Sequence, residues 1–157
     1  MLEIKWVGGS EADRARIAEQ HHNYLDANAS FDWERLQSVF SGADHAAFFN
    51  LNGHVYNGRA PWTELWKFYK TRVQTGYWTP FDMQGVISGD LAVVWCYRKT
   101  HREWIGKEAA PNPADIGGRD NITRSTMVFE KKDGEWMVTH LHFSESKLGE
   151  PRPGGIE

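Results

Sequence analysis

Apolar and polar residues follow two different periods along this chain, and the change falls near Gly76. Before it, apolar and ring-bearing residues recur every three or four positions, the spacing of one helix face. Ile17, His21, Tyr24 and Asn28 make the first such row, with Leu25 beside it. Ser10 precedes the row as a helix cap, and Glu11 and Asp13 suit the positive end of the helix dipole. The row is more polar than a pure core stripe, so part of it is expected to line a cavity. Asp32 caps a second, shorter helix through Trp33, Leu36, Val39 and Phe40, ending near Gly42. Pro61 fits the first turn of a third, whose face is Trp62, Trp66, Tyr69 and Val73 with Leu65 alongside. Between these helices, residues 46–53 and 54–58 read as two short strands around an Asn-Gly turn.

After Gly76 the period drops to two. Tyr77 to Ile87, Leu91 to Trp104, Asn121 to Lys132 and Glu135 to Ser146 are strand-like, with tight turns at Ser88-Gly89-Asp90 and Asp133-Gly134. The connection from Gly106 to Gly118 contains Pro111, Pro113 and two adjacent glycines, a length found in lids and partner contacts. Proline and glycine from Gly149 onward mark a mobile tail over 147–157. A single domain is expected over 1–157, with its core at about 11–146. Three helices followed by long strands predict an α+β domain. Its form is a cone-shaped, strongly bent antiparallel sheet with the three N-terminal helices on its concave face. Such a cone leaves an apolar pocket at its wide end. Its convex face needs cover, which predicts a homodimer through that face.

Composition narrows the function classes. A net charge of -3 without a long basic run argues against a nucleic-acid partner. The 8 Trp, 8 Phe and 5 Tyr supply rings for core, interface and an apolar ligand pocket alike. No apolar stretch reaches the ~20 residues of a membrane span. The first six residues alternate apolar with charged, unlike a secretion signal. No membrane partner and a cytoplasmic location are expected. Cys96, the single cysteine, lies in an apolar strand and reads as a small buried residue. With no phosphate loop, nucleophile elbow or metal-ligand cluster, neither cofactor nor metal is expected.

What remains is acid–base chemistry in the cone. His140 and His142 share one face of the last strand with Trp136, Val138 and Ser144, because successive strand side chains point to opposite faces. A base there would take a proton, while structural histidines satisfied by partners are the alternative. On the strand from Leu91, Val94, Cys96, Arg98, Thr100 and Arg102 form one face, and Trp95, Tyr97, Lys99, His101 and Glu103 the other. Arg98 would hold a carbonyl or phenolate oxygen, or else pair with a carboxylate. Tyr24 and Tyr56 are candidate acids. Thr123, Ser125, Met127 and Phe129 alternate against Arg124, which would then be interfacial or solvated. His21, Asn50, His54, Trp62, Trp66, Tyr69, Met127 and Phe129 are the candidate substrate contacts.

The order of elements, the Gly89-Asp90 turn before Leu91-Ala92-Val93-Val94-Trp95 and the strand from Asp133-Gly134-Glu135-Trp136 resemble the nuclear-transport-factor-2-like superfamily. That superfamily includes the SnoaL-like polyketide cyclases, ketosteroid isomerase, scytalone dehydratase and the association domain of calcium/calmodulin-dependent protein kinase. The resemblance covers residues 11 to 146. Locally it is similar to the kinase association domain, where Asp-Gly-x-Trp is also followed by His-x-His, here His140-Leu141-His142. The resemblance places that domain's pocket arginine at Arg98, its face inward, and a second family arginine where this chain has Met127. The aspartate base and tyrosine–aspartic acid pair of ketosteroid isomerase, and the paired aspartates and arginine of the epoxide hydrolases, have no evident counterparts. Two readings follow. One is a cofactor-independent lyase or isomerase for a small, apolar, aromatic substrate, working by dehydration, double-bond shift or retro-aldol cleavage such as deformylation. The other is a non-catalytic ligand-binding or assembly domain. An open cavity with convergent titratable groups favours the first, and a solid core the second.

Overall fold

The computed structural model describes residues 2–111 and 119–155, with the side chains of 119 and 120 excepted. Residues 112–118 of the connection expected as a lid lie outside the described residues. The elements follow in the order β1 (Ile4–Val7), α1 (Glu11–Ala29), α2 (Trp33–Leu36), β2 (Ala47–Phe49), β3 (Val55–Asn57), α3 (Arg59–Lys70), β4 (Val73–Thr75), β5 (Thr79–Ser88), β6 (Leu91–Trp104), β7 (Arg119–Lys132) and β8 (Glu135–Glu145). One curled sheet runs β1-β5-β6-β7-β8-β2-β3, and β4 pairs the far end of β6. The helices pack on its concave side. The long strands are antiparallel as expected, but the sheet is mixed. Strand β1 joins β5 in parallel and β2 joins β8 in parallel.

The caps behave as the residue types require. The Ser10 hydroxyl accepts from the Asp13 backbone N–H at 3.1 Å and opens α1. Asp32 accepts from Arg35 N–H at 3.0 Å, but the helix it opens lasts only one turn. From there residues 39–41 turn toward the sheet and bond Val138 on both sides, with Val138 N–H to the Val39 carbonyl and Ser41 N–H to the Val138 carbonyl. Strand β1, which the sequence pattern did not single out, rests Trp6 on Gly85. A Cβ at Gly85 would stand 2.3 Å from that ring, so only glycine admits the contact.

The Val138 clamp accompanies a bulge. Pairing between β7 and β8 jumps from Val128 opposite His140 to Phe129 opposite Val138, leaving Thr139 as an extra residue. Trp136 and Val138 point inward before the bulge, and Leu141 and Phe143 point inward after it. The expectation that His140 and His142 share the face of Trp136 and Val138 is therefore corrected. One inserted residue moves both to the convex side.

Helix α1 also anchors the hairpin between β7 and β8. Asp13 accepts from Trp136 Nε1–H at 2.8 Å and Lys131 Nζ at 3.1 Å, and lies 2.8 Å from the Ser10 hydroxyl. The Trp136 bond first, then those from Ser10 and Lys131, hold the Asp13 carboxyl at about 2, below its ordinary 3.8. Deeper along the helix His21 is wholly buried, and neither ring nitrogen has a hydrogen-bond partner among the described residues. Burial, and then the Arg98 charge, push its pKa from 6.5 to about 3, so it is neutral in the folded protein.

These two groups predict an acid-sensitive fold with a defined sign. As pH falls below 6.5 the unfolded chain protonates position 21 while the folded chain does not until about 3. Stability should fall across that window by up to about 1.4 kcal/mol per pH unit. Urea melts of His21→Leu between pH 7 and pH 4 should show a flatter acid limb than wild type. Identical slopes would remove His21 as the cause. The Asp13 contribution is lost only lower, as pH drops from 3.8 toward 2.

Candidate functional site

Alternation along β6 places Val94, Cys96, Arg98, Thr100 and Arg102 on the concave face, and all five are buried. Cys96 is the small buried residue expected, 3.3 Å from the Ser125 hydroxyl, and burial raises its thiol pKa. Helix α3 turns Trp62, Leu65, Trp66 and Tyr69 toward the same interior, at the spacing of one helix face. Its first turn is held by Arg59, whose Nη1 donates to the carbonyls of Gln37 and Phe40. Helix α1 adds Tyr24 from the third side. The rings contact one another in a continuous set, with Tyr24 stacked on Phe143 at 6.2 Å and Trp66 edge-on to Phe31 at 6.0 Å.

Arg98 lies at the centre of this set with 3% of its surface exposed. Its Nη1 donates to the Tyr24 hydroxyl at 2.7 Å. Among the described residues its Nε has no hydrogen-bond partner and no carboxylate pairs with it. Aromatic faces stand in for a counter-ion, with the guanidinium 4.1 Å from the Phe143 centroid, 5.1 Å from Trp78 and 5.6 Å from Tyr24. The carboxylate partner that was the alternative for Arg98 is thus absent among the described residues. Burial raises the Tyr24 pKa and Arg98 opposes that rise, so the phenol is protonated at neutral pH.

A cavity of about 40 Å³ opens beside this pair. Of the candidate residues, Tyr24, Arg98, Asn50, Trp62, Trp66 and Tyr69 line it. Residues outside the candidate list also do so, among them Arg102, Trp78, Phe31, Phe143, Leu51 and Leu65. Arg102 was legible as a member of the Arg98 face, and its guanidinium is 5.8 Å from both Trp78 and Tyr69. Met127 and Phe129 face inward as expected but are sealed in solid core rather than at the cavity. His21 is buried away from it. Tyr56 is half-buried, bonded to Asn52 Nδ2 at 3.0 Å and packed 5.5 Å from Trp62. His54 is exposed on the turn whose Asn50 and Leu51 line the cavity.

His140 and His142 stand elsewhere. Both pack edge-on to Phe49 on the convex side, at 4.8 and 5.3 Å. Nδ1 of His140 lies 2.7 Å from the Ala47 carbonyl, an acceptor only, so that nitrogen carries the proton. The convex face also exposes Trp95, 40% accessible, beside a Phe81–Tyr97 stack at 5.2 Å. Arg124 is exposed there, donating Nε–H to the Ser144 hydroxyl. Among the described residues there is no group of three His, Cys, Asp or Glu that could hold a metal, and no helix is long and apolar enough to cross a membrane.

Solved structures share this architecture. A nuclear transport factor 2-like superfamily protein from Salmonella enterica superposes with a TM-score of 0.73 at 16% identity, covering 93% of this chain and 99% of its own. A candidate dehydratase of the NTF2-like family from Streptomyces avermitilis gives 0.65 at 16% identity, covering 87% and 97%. The association domain of C. elegans CaMKII gives 0.59 at 21% identity, covering 85% and 96%. At these identities the likeness is one of fold. No curated protein sequence matches the chain. The SnoaL-like domain family matches residues 17–146, the stretch from the buried face of α1 to the end of β8, and the chain belongs to that family.

Proposed function

We propose that the chain is a cofactor-independent lyase or isomerase acting on a small aromatic substrate in the cone. The observation that carries this reading is the Arg98 guanidinium, buried among rings with a tyrosine hydroxyl as its hydrogen-bond partner and, among the described residues, no carboxylate paired with it. A fixed positive charge in an apolar, water-poor site is suited to an oxyanion that develops during reaction. Tyr24 supplies the proton. In a dehydration its phenolic proton passes to the departing hydroxyl oxygen as the C–O bond breaks with its electron pair to oxygen. Arg98 holds the phenolate so formed, which then takes the proton of the neighbouring carbon as those C–H electrons close the double bond. Water leaves and no electron is gained or lost. A double-bond shift or a retro-aldol cleavage such as deformylation draws on the same pair. The name of the Streptomyces avermitilis neighbour agrees with a dehydratase. The free, buried Cys96 agrees with a reducing, cytoplasmic setting.

The non-catalytic alternative draws on a different observation, the small interior beside an exposed aromatic convex face. The two readings share one assembly proposal. Trp95, Phe49, Val86 and Leu91 leave apolar area on the convex side, which a second copy of the chain would cover as a homodimer.

Two experiments test these proposals. Thermal melts against aromatic acids and phenols, beginning with benzoate and 4-hydroxybenzoate, should find a compound that raises Tm. At a hundredfold excess over its Kd the gain is about 2.7 kcal/mol, or roughly 5–11 °C for a chain of this length. Arg98→Met should abolish that shift while holding or raising the Tm of the free protein, because an unpaired buried charge is costly. With a turned-over substrate, Arg98→Met and Tyr24→Phe should each lower kcat by about 10²–10³-fold. A stable Arg98→Met protein with unchanged ligand shift and turnover would overturn the reading. For assembly, sedimentation equilibrium at micromolar concentration should give a dimer for wild type and a monomer for Trp95→Asp. A wild-type monomer would refute the interface.

A further inference from the structure

We propose that the turn over residues 50–54, between β2 and β3, is a lid on the cone and that the Tyr69 hydroxyl is its catch. The inference rests on the cone being a ligand pocket, and it starts from a mismatch of size. The cavity beside Arg98 measures about 40 Å³, whereas a dry cavity that takes up benzene is on the order of 150 Å³. A ring-bearing ligand can reach Arg98 only if part of the wall moves.

The walls are not equally fixed. Helix α1 runs 19 residues with its inner face buried, α3 sinks two tryptophans into the core, and β6 is paired along its length. The turn is different. It contributes Asn50 and Leu51 to the cavity wall, yet it lies at the last hairpin of the sheet. Strand β3 has three residues and pairs with β2 alone, and β2 in turn pairs three residues with β8.

Its backbone bonds close on themselves. Asn50 N–H donates to the His54 carbonyl, Gly53 N–H to the Asn50 carbonyl, and His54 N–H to Asn52 Oδ1 at 2.9 Å. The side-chain hydrogen bonds from the turn to α3 end on one hydroxyl, beside the apolar packing of Leu51. Asn52 Nδ2 donates to Tyr69 Oη at 3.2 Å and Asn50 Nδ2 reaches the same oxygen at 3.5 Å. The second phenol that Asn52 holds, Tyr56, is on β3 and rests edge-on against Trp62 of α3, a ring contact that needs no hydrogen bond. Swinging the turn outward therefore breaks two side-chain bonds to α3, releases Asn52 from Tyr56 or Tyr56 from Trp62, withdraws half-buried Leu51 from the cavity wall and leaves the pairing of β2 with β8 in place. Local openings with so few contacts lie at the low end of a protein's stability scale.

The test reads opening directly and uses no ligand of Arg98. A cysteine replacing Leu65, which lines the cavity, is placed in a Cys96→Ala chain and labelled with methyl methanethiosulfonate. Native Cys96, within the sheet, reports global unfolding in the unmodified chain. The labelling rate at position 65 should exceed that of Cys96 and change little with low urea, because a small opening exposes little surface. Tyr69→Phe should raise it by at least about fivefold, the worth of the shorter of the two hydrogen bonds it removes. Trp136→Phe, which loosens the α1 anchor far from the mouth, should speed labelling of Cys96 and not of position 65. If position 65 labels with the urea slope of Cys96, or Tyr69→Phe leaves its rate unchanged, the lid is overturned. A cysteine at Phe31, on the same cavity, serves as the second reporter should Leu65→Cys fold poorly. Loss of the lid result would leave the role of Arg98 standing, and an inert Arg98→Met would leave the lid standing.

Discussion

The extra residue at Thr139 governs much of this molecule, because it decides which side chains of β8 enter the cone. Without it the alternation from Trp136 and Val138 would send His140, His142 and Ser144 inward and Leu141 and Phe143 outward. With it Phe143 comes to lie 4.1 Å from the Arg98 guanidinium and stacks on Tyr24. The bulge is itself held from a distance. Residues 39–41, released by the early end of α2, take both backbone bonds of Val138, and β2 then pairs β8 from His140 onward. A short helix, a bulge and the ring beneath a buried charge are therefore one linked arrangement.

Burying that charge is expensive, and the offsets are partial. A guanidinium withdrawn from water loses several kcal/mol of hydration unless a carboxylate and hydrogen bonds replace it. Arg98 has one hydroxyl and three ring faces. Cation–π contacts contribute about 0.5–2 kcal/mol each, with more when desolvated. A hydrophobic side chain of similar reach would make the better core. A fold that keeps Arg98 there gives up stability for a field, which is the pattern expected of a site rather than of a scaffold.

Much of this was legible in the sequence, and the misses have physical causes. The Ser10 cap, the α3 face of Trp62, Trp66 and Tyr69, and the full extent of β6 follow from local rules of capping and period, and they stand where those rules put them. Alternation grouped Arg98 on one face and Trp95 on the other, and the family resemblance, not the period, set the Arg98 face inward, where it lies. Strand β1 was not legible because it is defined by parallel pairing with residues nearly eighty positions away. The second helix was read too long because Val39 and Phe40, buried at helical spacing, are drawn into sheet bonding instead. The histidines were misplaced because a bulge depends on a partner chain segment, not on the residues it displaces. Cavity size is still further from sequence, being a small difference between large packed volumes.

The surroundings of Arg98 carry the electrostatic consequence. Its cross-strand partner is Thr123, and its neighbours on the concave face are Cys96, Ser125, Tyr24, Trp78 and Phe143. Burial keeps the Cys96 thiol and the Tyr24 phenol protonated, so neither supplies negative charge at neutral pH. His21 could only add positive charge, and Arg98 together with burial prevents even that. Among the described residues no carboxylate pairs with Arg98, and its field acts in a low-dielectric setting where it is strong. That field favours an anion or an incipient oxyanion over any cation of the same shape. On the proposed reading, selection by charge would then precede any shape-dependent contact of a ligand with the ring lining.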